Sequence, residues 1–529
     1  MDMNLFQCYN HFMKTMKKIH FAWILLFAVQ LVFFVALGVT SHDPDFGWHL
    51  RVGQDIVADR DVPRIENYTY PTLGESWVDH EWASNLIFFG LYDLHPKFGL
   101  LFLAMFISVC AVATFAILTW LMKQFVGTVR PWIFFGVAAI FNLLILIFNN
   151  YIFGIRAQVF SWLFFALLFL FSYFLFERKK VWPLIAFPVL MMIWTNFHGS
   201  FILGLALVGL VLLLRLFGTH RGYVVLSGLA CIVATFLTPY GIELWKLIVV
   251  EYGGNTYYHQ AILEWLPILQ YPFHWPSFWV FVFVVASLFF YYVHFGFSVK
   301  NARPHVKLYM FVVVILMVTS WTSRRIVPLL IIFAFPIVGM FYTRLFEEKL
   351  CPRFLFVVAS ALFVWIFVLV SPVSSLTSYH NVFDVTHRYP RGAVQYIREN
   401  PELKELNMFN KYHWGGYLGW MLQDHLLFVD GRMPQKPMDT GLSYLEEYTM
   451  FRKENDIAAQ LDLYDVGYAL WPVRGAELPP ITKIDYWVAT KILDIDIDGM
   501  LEGSFVFDDY MQEHWREIYR DDIAVIYQR

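Results

Sequence analysis

The sequence predicts a mainly α protein: a polytopic membrane helix bundle of about eleven spans, followed by a C-terminal extracytoplasmic α/β domain. Three observations carry that prediction. Of 529 residues, 58% are hydrophobic and only 15% are charged, where a soluble domain carries about 25% charge. Apolar runs of spanning length recur up to residue 371 and stop there. The charge balance changes sign at the same place. Residues 1–379 hold 24 Lys and Arg against 17 Asp and Glu, and residues 380–529 hold 15 against 25. A soluble enzyme, a disordered chain and a coiled coil are thereby excluded. The net charge of −3 gives no sign of nucleic-acid binding.

A membrane-spanning helix needs about 20 mostly apolar residues. Such runs fall near 21–40, 98–122, 131–149, 158–176, 181–197, 200–217, 223–239, 277–295, 308–323, 326–342 and 353–371. Orientation follows from Lys and Arg beside the span ends. With the N-terminus cytoplasmic, the short inner segments hold 16 positive charges, among them Lys17, Lys123, Arg178, Arg303 and Arg344, against 8 outside. Eleven spans then put residues 372–529 outside. The first run is long and lacks a small-residue cleavage pattern, so it reads as a span and not a signal peptide. The domains predicted are 1–379 in the membrane and 380–529 in water. Four cysteines, Cys8, Cys110, Cys231 and Cys351, have neither metal-site spacing nor a disulfide framework.

The carboxylates point to function. Of the 17 acids before residue 380, ten lie in the first outer loop, 41–97, and three in the second, 240–276. None falls inside a predicted span, which argues against an ion-coupled transporter. Chemistry is expected at the outer face. The first loop opens with Asp43, Pro44, Asp45 and then His49. Such an acid can take a proton from an attacking hydroxyl, or can simply cap a helix. The loop closes on Trp77-Val78-Asp79-His80-Glu81-Trp82, at the start of an amphipathic surface helix, 81–94. Arg156, His198, Arg324 and Arg325 stand at outer span ends, where the topology sets them on the same face as Asp45. Arg suits a phosphate through bidentate hydrogen bonds, and suits a lipid headgroup equally. Glu264, beside Tyr257, Tyr258 and His259, is a candidate for supporting acceptor or donor, or for surface packing.

In the outer domain, helices are predicted at 392–399, 416–422 and 443–454, and strands at 406–409, 426–429 and 466–471. A terminal hairpin is predicted from 515–519 and 523–527. This alternation implies an α/β layer structure. Asp430-Gly431-Arg432 follows a predicted strand, a common place for ligand sites, and reads also as a structural turn. No Gly-rich phosphate loop or nucleotide fingerprint is present.

Taken together, several of these segments resemble one family. They are Asp43–Leu50, Val62-Pro63, Trp77–Trp82, Arg156-Ala157-Gln158, Asn196–Ser200, Phe409–Leu418 with Trp414, and Phe428–Arg432. They resemble bacterial polytopic membrane glycosyltransferases of the GT-C superfamily, in an uncharacterised group using polyprenyl-phosphate sugars. The resemblance implies a plasma (inner) membrane enzyme that moves a sugar from a polyprenyl-phosphate carrier to an envelope glycan, lipid or protein acceptor. Asp45 is then the first candidate for the base, with Asp43 and His49 beside it. A divalent metal held by such an acid stays open. Arg156, His198, Arg324 and Arg325 would bind the donor phosphate. Asp79, His80, Glu81, Glu264, Trp414, Asp430 and Arg432 would support the acceptor or the base. The string His413-Trp414-Gly415-Gly416-Tyr417 loosely resembles the tryptophan motif of oligosaccharyltransferases, with glycine where they have Asp. Membrane lipids, and no nucleic acid, are the other partners implied. The competing readings are a polyprenyl-linked glycan transporter or flippase, and a non-catalytic scaffold for envelope glycan assembly.

Overall fold

The computed structural model describes residues 2–40, 43–149, 154–216, 218–254, 257–295, 302–349, 389–451, 457–474, 483–499 and 505–529. Contacts gather the chain into two compact units. One joins Met1–Ser41, Leu100–Thr235 and His274–Tyr379; the other joins His42–Gly99, Phe236–Phe273 and His380–Arg529. This differs from a linear boundary at residue 379. Both long loops belong with the C-terminal segment, because their aromatic side chains have a sheet-based core to enter.

The first unit is helical. Ten of the eleven apolar runs fall on helices, and the eleventh, 353–371, lies outside the described residues. Among the described residues, six helices are long and apolar enough to cross a membrane: Lys18–Val39, Gly99–Val126, Gln158–Phe176, Trp275–Val293, Pro304–Thr322 and Arg324–Glu347. Four apolar helices are shorter: Pro131–Ile145, Pro183–Phe197, Phe201–Leu216 and Arg221–Ala234. The first span is part of one continuous helix, Asp2–Thr40. Buried amides tie helices together. Gln30 donates to Asn142 Oδ1 at 2.9 Å, and Asn142 donates to Thr119 Oγ1 at 3.3 Å. Among apolar surfaces, such bonds are part of what makes one helix prefer another.

The second unit is built on a four-stranded sheet, β1 (Asn407–Asn410), β2 (Val466–Pro472), β3 (Arg516–Arg520) and β4 (Ala524–Gln528). Its order is β1-β2-β4-β3, with β1 parallel to β2 and the other pairs antiparallel. Six of the seven β2 residues are buried, as expected of a central strand covered on both faces. The terminal hairpin stands as β3 and β4. The strand predicted at 426–429 does not form: Leu427 makes a single parallel bridge to Thr69 of the first loop. Its apolar side chains serve a core and not a ladder, and a short apolar run does not distinguish the two.

Among the described residues, eight α-helices of seven or more residues accompany the sheet. In the first loop they are α1 (Phe46–Asp59) and α2 (Trp82–Asp93). In the C-terminal segment they are α3 (Arg391–Glu399), α4 (Gly415–Met421), α5 (Tyr444–Met450), α6 (Ile457–Leu463), α7 (Lys483–Lys491) and α8 (Val506–His514). A Ser443–Glu446 capping box starts α5. The core joins Phe409, Phe428, Tyr448, Trp471 and Phe507 with Tyr258 of the second loop. Tyr257 bonds Thr449 Oγ1 at 2.6 Å. These second-loop aromatics therefore hold the loop to the domain.

Candidate functional site

The sequence pattern did not show α1 as a helix. It places Trp48, Val52 and Ile56 four residues apart on one buried stripe with Trp77 and Met433. Asp45 is its N-cap residue, yet the Asp45 side chain makes no capping hydrogen bond. Asp43 Oδ1 accepts from the Asp45 backbone N–H at 3.1 Å, and both acids are half-buried. A helix N-terminus favours the negative charge there.

Three motifs far apart in sequence meet at this point. A β-carbon on Gly416 would overlap the Pro44 carbonyl, and one on Gly431 would overlap the Asp45 carboxylate. The glycines of His413–Tyr417 and Asp430–Arg432 thus let two backbones come directly against Asp45. Trp414 is buried in the short turn before α4, which packs on α1.

Beneath this junction lies a buried ion network. Arg432 donates to Glu66 Oε2 at 2.8 Å and Oε1 at 2.9 Å, and its Nε donates to Asp430 Oδ2 at 2.8 Å. Glu66 Oε1 also accepts the backbone N–H groups of Tyr68 and Thr69. The guanidinium lies 4.3 Å from the Tyr68 ring centre and 4.9 Å from that of Trp77. Asp430 and Arg432 are therefore engaged in holding the first loop to the C-terminal segment. Glu66, which the sequence pattern did not single out, is the partner of Arg432.

A second polar chain brings His49, Asp79, His80 and Glu81 together through Asn85. Asn85 Nδ2 donates to Asp79 Oδ2 at 2.8 Å, and Asn85 Oδ1 lies 2.5 Å from His49 Nδ1. With its amide so oriented, Asn85 offers His49 an acceptor, so His49 carries a proton on Nδ1. His49 Nε2 then faces Glu81 at 3.8 Å, and His80 Nε2 lies 3.6 Å from Glu81. Burial pushes the Asp79 carboxyl up to about 6, against the opposing pull of the Glu81 N–H, Asn85 and Arg432. The helix predicted at 81–94 is α2. It buries Ala83, Ser84, Asn85, Phe88 and Phe89 and packs against α1. Glu264 is half-buried beside Trp265, which packs on Tyr258 at 5.3 Å.

The remaining candidates belong to the helical unit. His198 ends helix Pro183–Phe197, with Nδ1 2.8 Å from Ser200 Oγ and 3.1 Å from Ser161 Oγ. Arg324 is buried and Arg325 half-buried in a single 3₁₀ turn. Burial, and after it the Arg324 charge, lowers the His274 pKa. Arg156 is half-buried just before helix Gln158–Phe176. Among the described residues, no three His, Cys, Asp or Glu side chains come together as a metal site.

No protein-family model matches the chain, and no curated protein matches it in sequence. Solved structures do. The apo oligosaccharyltransferase of Archaeoglobus fulgidus is 9% identical, with a TM-score of 0.56 over 85% of this chain and 69% of that one. The oligosaccharyltransferase AglB of Archaeoglobus fulgidus, in complex with an inhibitory peptide and a dolichol-phosphate, is 11% identical, with a TM-score of 0.55 over 84% and 69%. The enzyme of the apo structure, tethered to an acceptor peptide containing the NVT sequon, is 10% identical, with a TM-score of 0.52 over 85% and 69%. The chain shares the fold of these archaeal oligosaccharyltransferase structures.

Proposed function

We propose that the protein is a membrane glycosyltransferase that takes a sugar from a polyprenyl-phosphate donor and passes it to an acceptor hydroxyl at the outer face of the plasma membrane. Three things support this reading: the GT-C fold, the complex of the archaeal enzyme with a dolichol-phosphate, and the acids gathered outside the spans. The single observation that carries it is the setting of Asp45. Its carboxylate stands at the head of α1 against Gly431 of one distant motif, while Gly416 of another lies against the Pro44 carbonyl and the Asp45 Cα.

In the proposed reaction, Asp45 takes the proton from the acceptor hydroxyl. The acceptor oxygen attacks the anomeric carbon from the face opposite the phosphate. The bond from that carbon to the phosphate oxygen breaks, and polyprenyl phosphate leaves with the electron pair, so the anomeric configuration inverts. Asp43 holds the Asp45 backbone, and Arg156, His198, Arg324 and Arg325 are assigned to the donor phosphate on the chemistry of phosphate recognition. The chain Asp79–Asn85–His49–Glu81 fixes the His49 ring in the first turn of α1.

The test is transfer itself. Purified protein in lipid is given radiolabelled polyprenyl-phosphate sugars and extracted envelope acceptors. Labelled acceptor is expected from at least one donor. A folded protein that transfers from none of them contradicts the proposal.

A further inference from the structure

Within the sheet-based unit, a cleft of about 440 Å³ opens between the first loop, the second loop and the segment after Arg432. Its size falls in the range of about 300–1,000 Å³ typical of small-ligand sites. Arg64, Trp77, Glu243, Lys246, Glu251 and Gln435 line it. None of the residues assigned above to base or donor phosphate is among them. Gln435 is 1% exposed. Its Nε2 donates to Glu251 Oε2 at 3.3 Å, while its Oε1 has no hydrogen-bond partner among the described residues. A buried amide oxygen left without a donor costs about 1–3 kcal/mol, so a cleft that keeps one suits a ligand bringing a donor.

The charges narrow the class of ligand. Lys246 pairs with Glu243 at 2.7 Å. Arg64 donates to the Pro239 carbonyl at 3.0 Å and lies 5.9 Å from the Tyr240 ring centre. Arg432 is held by Glu66 and Asp430. The cations at the cleft are thus matched by acids or seated on the protein's own groups, so no concentrated positive field is offered to a phosphate. What the cleft offers is an unmet acceptor, a carboxylate acceptor at Glu251, and apolar walls from Trp77 and Val250. That combination matches a molecule with many hydroxyl donors and apolar C–H faces. We propose that this cleft is a binding subsite for the neutral saccharide part of the acceptor, with Gln435 Oε1 and Glu251 receiving its hydroxyls. The proposal rests on the transferase reading and adds to it the acceptor's chemical class.

The experiment is saturation-transfer difference NMR on the full-length protein in nanodiscs. The probes are maltose, cellobiose and diacetylchitobiose, with inorganic phosphate as competitor. Three variants accompany wild type. Val250→Trp fills the cleft from a rim position that is 65% exposed, so the fold is not at risk. Gln435→Leu removes the unmet acceptor. Asp45→Asn leaves the cleft intact. A signal from at least one disaccharide is expected in wild type and in Asp45→Asn, unaffected by phosphate. Binding about tenfold weaker, or ~1.4 kcal/mol, is expected in Val250→Trp and Gln435→Leu. No disaccharide signal, an equal signal in Val250→Trp, or displacement by phosphate would overturn the subsite, whatever the transfer assay gives. Binding without any transfer would leave the subsite standing and overturn the transferase reading instead.

Discussion

Arg432 and Glu66, 366 residues apart in sequence, meet as a fully buried bidentate ion pair with N–O distances of 2.8 and 2.9 Å. With Asp430 on the other side of the guanidinium, this pair fastens the first loop to the C-terminal segment. Breaking a buried pair from one side typically costs about 3–5 kcal/mol, because the remaining charge is left uncompensated. Arg432→Met strands two buried carboxylates and is expected to lower stability by about that much in chemical denaturation of the detergent-purified protein. Arg432→Lys is not expected to restore it, since a point ammonium cannot span both acids and lie flat on Tyr68 and Trp77. A loss under about 1 kcal/mol for Arg432→Met would show that the pair is not what holds the loop.

Gly431 has no room for a side chain on the Asp45 face. Gly431→Ala is expected to push the Asp45 carboxylate aside and to reduce transfer by about 10²-fold, the usual effect of displacing a catalytic group by 1 Å. Gly90→Ala is the matched control, since a β-carbon there meets nothing within 4 Å. It sits in α2 and is expected to be neutral or slightly stabilising. Equal activity in the two alanine variants would mean that the close approach at Gly431 has no bearing on the reaction.

The buried Asp79 makes stability depend on pH. Its folded pKa, about 6, lies above the ordinary 3.8, so the folded state holds the proton more tightly than the unfolded chain. The stabilisation is therefore full below about 4 and is lost as pH rises through about 6. Two pH units at ~1.4 kcal/mol each make this about 3 kcal/mol. Wild-type stability is expected to fall between pH 4 and 7 relative to Asp79→Asn. The readout is the slope of the difference between the two proteins, since the amide changes the bond to Asn85 and adds a constant offset. Parallel curves over that range would remove Asp79 as the cause.

Arg156→Ala tests the helical unit. If its guanidinium binds the donor phosphate, the KM for the polyprenyl-phosphate sugar rises about tenfold or more, as the loss of a charge-assisted hydrogen bond of ~1.5–3 kcal/mol predicts. The KM for the acceptor should stay as it was. A donor KM unchanged from wild type would take Arg156 out of the donor site.

Much of the helical unit was legible because spanning length and apolarity are strong local signals. In the outer domain, β1, β2 and the terminal hairpin announce themselves by β-branched and aromatic runs between turn residues. Residues 426–429 look the same locally, but tertiary packing makes Phe428 and Val429 core side chains in an irregular segment. Helix α1 was hidden because Gly47 and Gly53 lower local propensity while serving close packing. In the site, the acids and histidines stood out by type. Their partners did not: Glu66, Asn85 and Gln435 are ordinary polar residues whose roles exist only once distant segments meet.

The role of Asp45 as base is tested most directly by the transfer rate of Asp45→Asn beside wild type, in the same lipid, with the same donor and acceptor. Asparagine keeps the shape against Gly431 and cannot take the proton, so a fall of at least about 10²-fold is expected, the scale of general-base catalysis, with the melting profile unchanged. Transfer at the wild-type rate in a folded Asp45→Asn protein would contradict it.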